Sequence, residues 1–229
     1  MAFDHLAFRN RYRAAVSPRY SGWLHMFSVA LTAAVVIAAA LYTISAATLA
    51  EWLCLPLSML LVNWGEYVAH RWLGHRKTRI GRLFYKRHTG DHHSFFVENA
   101  MPYESTRDWR VVLFPAWLIW VFLLCLITPG VLLLNALWSV NAAAFYATGA
   151  IGGYLFYEVM HFCYHLPAGS FMERTPVLKQ LQHLHRLHHR RDLMAARNFN
   201  ITLPIFDVLL GTLYWESPQT ASLAPESEQ

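Results

Sequence analysis

From residue 23 to residue 49 the chain carries no Asp, Glu, Lys or Arg and is almost continuously apolar. At 1.5 Å per residue such a run crosses a hydrocarbon core of about 30 Å, so a first membrane helix is expected over 23–49. A signal peptide is the rival reading, since Ser45-Ala46-Ala47 suits cleavage, but the run exceeds an h-region of roughly 7–15 residues. Glu51 marks a short turn, and residues 52–70 return across the bilayer with Glu66 and His70 still in helical register. Residues 71–110 are basic, polar and His-rich, and cannot lie in hydrocarbon. A third span is expected over 111–128, with Pro129-Gly130 turning the chain. Residues 131–163 return, interrupted by Asn141 and the Gly149, Gly152, Gly153 cluster; one long helix and a re-entrant piece plus a helix both fit. Thr175-Pro176 reads as an N-cap and first helical residue, opening a helix through the last His-rich run. Residues 203–215 are apolar around Asp207 but too short to span, and should pack under the cap or at the interface. Residues 216–229 read as a disordered tail. The expected architecture is an all-α membrane protein, a single domain over 1–229. Four transmembrane helices form two hairpins under a cap built from 71–110 and 164–215.

Composition sharpens this picture. Hydrophobic residues make up 55% of the 229 and charged residues only 14%. The net charge of +5 could suggest nucleic acid, but all nineteen Lys and Arg fall in three blocks, 9–19, 71–110 and 174–197. That is a positive-inside distribution, not a basic groove, and it places both termini and the cap in the cytoplasm. A nucleic-acid partner is therefore excluded. Arg far outnumbers Lys and Ala is abundant, which suggests a GC-rich bacterial source and a bacterial inner membrane rather than the endoplasmic reticulum. Cys54, Cys125 and Cys163 lie far apart in apolar sequence and read as buried packing residues.

The chemistry sits in the histidines. Ten of thirteen fall into four groups: His70 and His75; His88, His92 and His93; His161 and His165; His185, His188 and His189. Neutral imidazole is the commonest ligand for Zn, Fe, Cu and Ni, and ten are too many for one ion of four to six donors. Spacings of three and four, as in His185/His188/His189, His88/His92 and His161/His165, put rings on one helix face. His70 and His75, five apart, diverge on a helix, as would suit one ligand for each of two metals. A merely basic surface patch would not repeat His at helical spacing in four places. His5 and His25 read as interfacial side chains, and His183 as solvated or supporting, off the face of His185. Glu66, Glu158, Asp192 and Asp207 are candidates to receive the second ring N–H of a metal-bound His. For Asp192, ordinary pairing with Arg190, Arg191 or Arg197 is the alternative. Glu158-Val-Met-His161 matches the Glu-x-x-His of carboxylate-bridged di-iron sites once, without a second copy, so a His-dominated site is favoured.

These residues resemble the fatty acid hydroxylase / sterol desaturase superfamily of integral-membrane di-metal oxygenases. Its boxes appear here as His70-Arg-Trp-Leu-Gly-His75, His88-Thr-Gly-Asp-His92-His93 and His185-Arg-Leu-His188-His189. Tyr157-Glu158-Val-Met-His161-Phe-Cys-Tyr-His165 is similar to the extra box of the fatty acid 2-hydroxylase branch. Asn198-Phe199 and Phe206-Asp207 to Gly211-Thr212 resemble the family's closing segment, and Asn198 joins the supporting set on that ground. The second box is HxxxHH rather than HxxHH, and Asn200 stands where the closing segment usually has Gly. No His-Pro-Gly-Gly haem motif occurs.

The resemblance implies two iron ions on the ten His (zinc can take the same ligands in purified protein), with O₂ as co-substrate. It also implies a membrane-lipid substrate and electrons from a separate electron-transfer protein. The expected activity is hydroxylation of a fatty acyl, sterol or related C–H bond. A desaturase with the same site is the nearest alternative. A metal transporter or sensor fits less well, because the His boxes cluster at one end of the spans instead of crossing the midplane. Substrate, attacked carbon and oligomeric state are not encoded legibly.

Overall fold

The computed structural model describes residues 3–216, so the tail reading falls almost wholly outside the described residues. The described chain is all-helical, with one isolated β-bridge between Val97 and Ala100. Asp4 caps α1 (His5–Ala15) by accepting from Ala7 N at 2.9 Å, and Ser21 caps α2 (Gly22–Tyr42) in the same way. Thr48 and Glu51 form a reciprocal capping box at α3 (Leu49–Trp52). After α4 (Cys54–Val68) the helix continues as a π-helical turn, Ala69–Gly74. Next come α5 (Arg82–Tyr85), a second π turn over Lys86–His92, α6 (His93–Phe95) and α7 (Trp109–Val112).

The next helix departs from expectation. α8 (Leu118–Phe122) runs through a third π turn, Leu123–Ile127, directly into α9 (Thr128–Leu137). Pro129-Gly130 therefore does not turn the chain; the reversal comes at Trp138–Ser139. Proline lacks an N–H and crowds the carbonyl four residues back, and the π turn just before it relieves that conflict. Ser139 caps α10 (Val140–Tyr164), which is one unbroken helix of 25 residues. The short α11 (Phe171–Arg174), then α12 (Pro176–His188) and α13 (Ile205–Leu209), complete the cap. Pro176 opens α12 as expected, although the Thr175 side chain makes no capping hydrogen bond.

α10 is the central helix and packs against α4, α2 and α9. Its glycines do not break it. A Cβ at Gly149 would meet the Leu55 carbonyl and the Ser58 hydroxyl, and one at Gly153 would lie 3.1 Å from Val62. Their absence lets α10 lie tightly on α4. Val29, Ala33, Ile119, Ile127, Ala150 and Ile151 fill the core between these helices. By length and composition, α2 and the combined helix Leu118–Leu137 can each cross a membrane. Their outward faces are apolar, with Trp23, Phe27, Leu31, Trp120, Leu124 and Leu132 exposed. Cys125 is exposed on that surface, against the expectation that all three cysteines are buried; Cys54 and Cys163 are buried.

The N-terminal helix is tied to the cap, not free. Arg13 makes paired bonds of 2.9 and 2.8 Å to Asp108, and Arg107 donates to the Val16 carbonyl at 2.8 Å. His25 is buried rather than interfacial, bridging Tyr20 and the Phe114 carbonyl at 2.9 and 2.8 Å.

Candidate metal centre

The structure gathers all ten clustered histidines at the cap end of α4 and α10. Their Nε2 atoms form two groups. His70, His75, His88, His93 and His188 make the first; His92, His165, His185 and His189 make the second. His161 joins the second, its Nε2 3.2 Å from that of His92.

The π turns set this division. On an α-helix, residues five apart sit roughly 140° from each other, which is why His70 and His75 were expected to diverge. A π turn repeats at i, i+5, and each five-residue pair starts within one and ends on the residue that caps it. His75 Nε2 stands 3.2 Å from His70 Nε2, and His93 Nε2 stands 3.0 Å from His88 Nε2. The pair expected to share a face, His88 and His92, is split between the groups. Gly74 allows this crowding: a Cβ there would lie 3.0 Å from the His88 ring and 3.3 Å from that of His70.

The outer ring nitrogens are anchored to backbone carbonyls. His92, His165, His188 and His189 donate Nδ1–H to Val111, Met101, Arg197 and Phe96 at 3.1, 2.8, 2.8 and 2.9 Å. His70 does the same to Phe199, and His75 to the Thr89 hydroxyl at 3.2 Å, which itself donates to Gly74. Carbonyls only accept, so these rings carry hydrogen on Nδ1 and a lone pair on Nε2. His75 Nε2 then faces His188 Nε2 at 3.0 Å, and His92 Nε2 faces His189 Nε2 at 3.2 Å. Two lone pairs at that distance repel, and a cation between them removes the conflict. Metal–nitrogen bonds of about 2.1 Å set at right angles place donors about 3.0 Å apart, whereas tetrahedral ligands stand about 3.4 Å apart. The neighbouring Nε2 pairs span 2.8 to 3.2 Å. That spacing is nearer the right-angle value than the tetrahedral one, with five donors gathered in the first group and four, with His161 beside His92, in the second.

Protonation agrees with ligation. Burial holds His75, His88, His92, His93, His185, His188 and His189 well below the ordinary imidazole range, and neighbouring rings push them further. Burial takes His165 down to about 3. Near pH 7 these rings are neutral, as metal ligation requires.

The carboxylates support the site differently from expectation: none receives a ligand N–H. Glu66 accepts from the Ile201 and Thr202 amides and the Thr202 hydroxyl, bracing the loop whose Phe199 carbonyl holds His70. Asp207 accepts from Phe199 N, Asn200 N and the Thr212 hydroxyl at 2.9, 2.7 and 2.6 Å, closing the same loop. Burial raises the Asp207 carboxyl. Asn198, at φ +55, donates to the Leu184 and Tyr214 carbonyls and accepts from Tyr214 N. The Asn200 side chain donates to Asn63 O at 3.0 Å and accepts from Phe206 N. Glu158 accepts from Tyr154 and Phe114 N. Asp192 is not part of the site: it is exposed and pairs with Arg190 at 2.8 Å. His183 is buried against Trp215 and the Glu216 carbonyl, outside both groups.

An apolar cavity of about 210 Å³ reaches both groups, touching His88 of the first and His92 and His161 of the second. A second, of about 480 Å³, opens among Leu61, Trp64, Val121 and Leu126 and touches His70. Both are lined by Phe84, Phe114, Leu118 and Tyr157, with Phe114 and Tyr157 stacked at 4.9 Å.

The family model described as fatty acid hydroxylase matches residues 55–212, well over half of the chain. The chain belongs to the fatty acid hydroxylase family. The matched stretch contains every one of the ten clustered histidines, while α1 and α2 lie outside it. The hydroxylase-family chain is also similar to a solved structure described as full-length scs7p with only the hydroxylase domain visible. The TM-score is 0.59 at 20% identity, over 86% of this chain and 69% of that one; at that identity the likeness is one of fold. No curated protein sequence matches it. Membership makes this chain a metal-binding membrane oxidoreductase of lipid metabolism.

Proposed function

We propose that this chain hydroxylates a C–H bond in the aliphatic part of a membrane lipid, using O₂, two iron ions and electrons from a separate electron-transfer protein. One observation carries the reading: a set of five imidazoles and a set of four, with His161 beside the second, converge next to an apolar cavity that touches both. Bound iron would supply the redox chemistry with O₂ that an unactivated C–H bond demands and that redox-inert zinc lacks. His70, His75, His88, His93 and His188 would hold one ion; His92, His161, His165, His185 and His189 the other. The carbonyl-bound Nδ1–H groups of His70, His92, His165, His188 and His189 keep those rings aimed and their lone pairs inward. Phe84, Phe114 and Tyr157 take up the lipid chain and exclude water from the reacting carbon.

The membrane assignment rests on the apolar outer faces of α2 and Leu118–Leu137. We place α4 and α10 as the other two spans, giving four, with the cap on the cytoplasmic side by the distribution of Lys and Arg. On that reading the second cavity opens at bilayer depth, so substrate enters sideways from the lipid. A bacterial inner membrane is the location proposed.

The test is expression in membranes supplied with Fe(II), followed by untargeted lipid mass spectrometry of wild type against His188→Ala. Hydroxylation predicts lipids heavier by one oxygen in the wild type alone. Lipids lighter by two hydrogens would instead identify a desaturase, and identical profiles from folded, iron-loaded proteins would reject the oxidase reading for those lipids.

A further inference from the structure

The N-terminal helix α1 lies outside the stretch shared with the family, yet one of its side chains reaches the backbone beneath the second metal group. Arg9 is only 4% exposed. Its Nε donates to the Phe95 carbonyl at 2.8 Å, and one terminal nitrogen donates to the Ala100 and Pro102 carbonyls at 2.6 and 3.2 Å. The other terminal nitrogen pairs with Glu104 at 2.9 Å. The guanidinium also lies over the Phe95 and Phe96 rings at 4.9 and 5.5 Å. It thus clamps both ends of the loop 95–102.

That loop supplies two of the second group's anchors. The Phe96 carbonyl, next in chain to Phe95, accepts from His189 Nδ1 at 2.9 Å. The Met101 carbonyl, between Ala100 and Pro102, accepts from His165 Nδ1 at 2.8 Å. The Phe96 ring lies 4.1 Å from the His165 ring. Each carbonyl that Arg9 grips is therefore adjacent in sequence to one that orients a second-group histidine. The first group depends on other backbone, at Arg197 and Phe199, which Arg9 does not touch.

We infer that Arg9 is a positioning residue for the second metal centre alone, fixing the carbonyls that aim His165 and His189. The inference rests on the two-metal reading. A planar guanidinium with five donors can hold three carbonyls and a carboxylate at once; the point charge of a lysine cannot. Outer partners of metal-bound histidines commonly control affinity by roughly 10–100-fold, and that is the loss expected for the second metal in Arg9→Lys.

The experiment follows metal release to a chelator from full-length protein in detergent, with elemental analysis and a folded-state control by near-UV circular dichroism. Wild type should hold two metals; fewer would overturn the two-metal reading itself. Given two, Arg9→Lys should release one metal faster and the other at the wild-type rate. The backgrounds assign the centre. With His70→Ala damaging the first site, Arg9→Lys should accelerate loss of the remaining metal. With His165→Ala damaging the second site, it should not. Arg9→Met should exaggerate the effect seen with lysine. Unchanged release of both metals, or equal acceleration of both, would overturn the inference.

Discussion

Acid should unfold the metal-free protein long before it unfolds the loaded one. His75, His88, His92, His93, His165, His185, His188 and His189 are buried and held below the ordinary imidazole range, burial being the largest cause in each. An imidazole freed by unfolding of the cap regains a pKa of about 6.5. Because the folded-state values are depressed, stability from these groups is present above about pH 6.5 and lost as pH falls below it. Protons then bind the unfolded chain and not the folded one. At pH 5.5 each released imidazole favours the unfolded state by about 1.4 kcal/mol, ten protonated forms to one neutral. Eight give on the order of 11 kcal/mol, comparable with the roughly 5–15 kcal/mol that holds a whole domain together. Asp207 works in the opposite direction, since burial raises its carboxyl, but one carboxyl cannot cancel eight imidazoles. Metal bound to the same Nε2 atoms must be expelled before those rings protonate, so it protects the fold.

The assay is thermal unfolding in detergent by circular dichroism, chelator-stripped protein against iron- or zinc-loaded protein, from pH 7.5 to 5.5. The stripped protein should lose its cooperative transition within that window, while the loaded protein holds it to lower pH and releases metal as it fails. A stripped protein whose Tm moves by only a few degrees between pH 7.5 and 5.5 would refute the reasoning. Its imidazoles could then not be held buried and neutral in the fold.

Three further outcomes follow from single contacts. Asp207→Ala leaves the Phe199 and Asn200 amides and the Thr212 hydroxyl without their acceptor; thermal unfolding should show a loss of about 3 kcal/mol or more. Gly149→Leu drives a side chain into the Leu55 carbonyl and should separate α4 from α10, whereas Gly152→Ala, facing open space, should leave Tm within a few degrees of wild type. Phe114→Trp overfills the shared lining of the two cavities, so product yield by lipid mass spectrometry should fall while metal content stays unchanged.

The histidine groups were legible because helical spacing of a rare residue type survives in the one-dimensional pattern, and so were the approximate positions of the apolar helices. What escaped was geometry that the α-helical period hides. His70 and His75 were read as divergent because five residues on an α-helix diverge; Gly74 and Gly90 within the π turns were the only local hint. Pro129-Gly130 carried an ordinary turn signal, and the π turn that lets a helix pass through it has no pattern of its own. Glu66 and Asp207 were marked as supports, yet their partners are amides of a loop more than a hundred residues from Glu66, and no spacing rule reveals that the ligands' N–H groups end on carbonyls. Arg9 left no signal at all, since an arginine in a basic lead-in looks like any other cytoplasmic charge.

The division of ligands has a consequence for how the two centres depend on each other. The box His185–His189 sends His188 to the first group and His185 and His189 to the second, while the π turn and α6 send His88 and His93 to the first and His92 to the second. Only His70 and His75 on one side, and His161 and His165 on the other, belong wholly to one group. A shift of α12 along its axis would thus misplace donors of both groups together, and so would unwinding of the second π turn. The rings of His93 and His189, one from each group, are stacked at 4.3 Å. Through α12 and the second π turn the two groups are joined, while the carbonyls that aim their outer ring nitrogens are separate, at Arg197 and Phe199 for one and at Phe96 and Met101 for the other. Crossing the ligand sets between helices keeps both groups in register with the cavity that touches both.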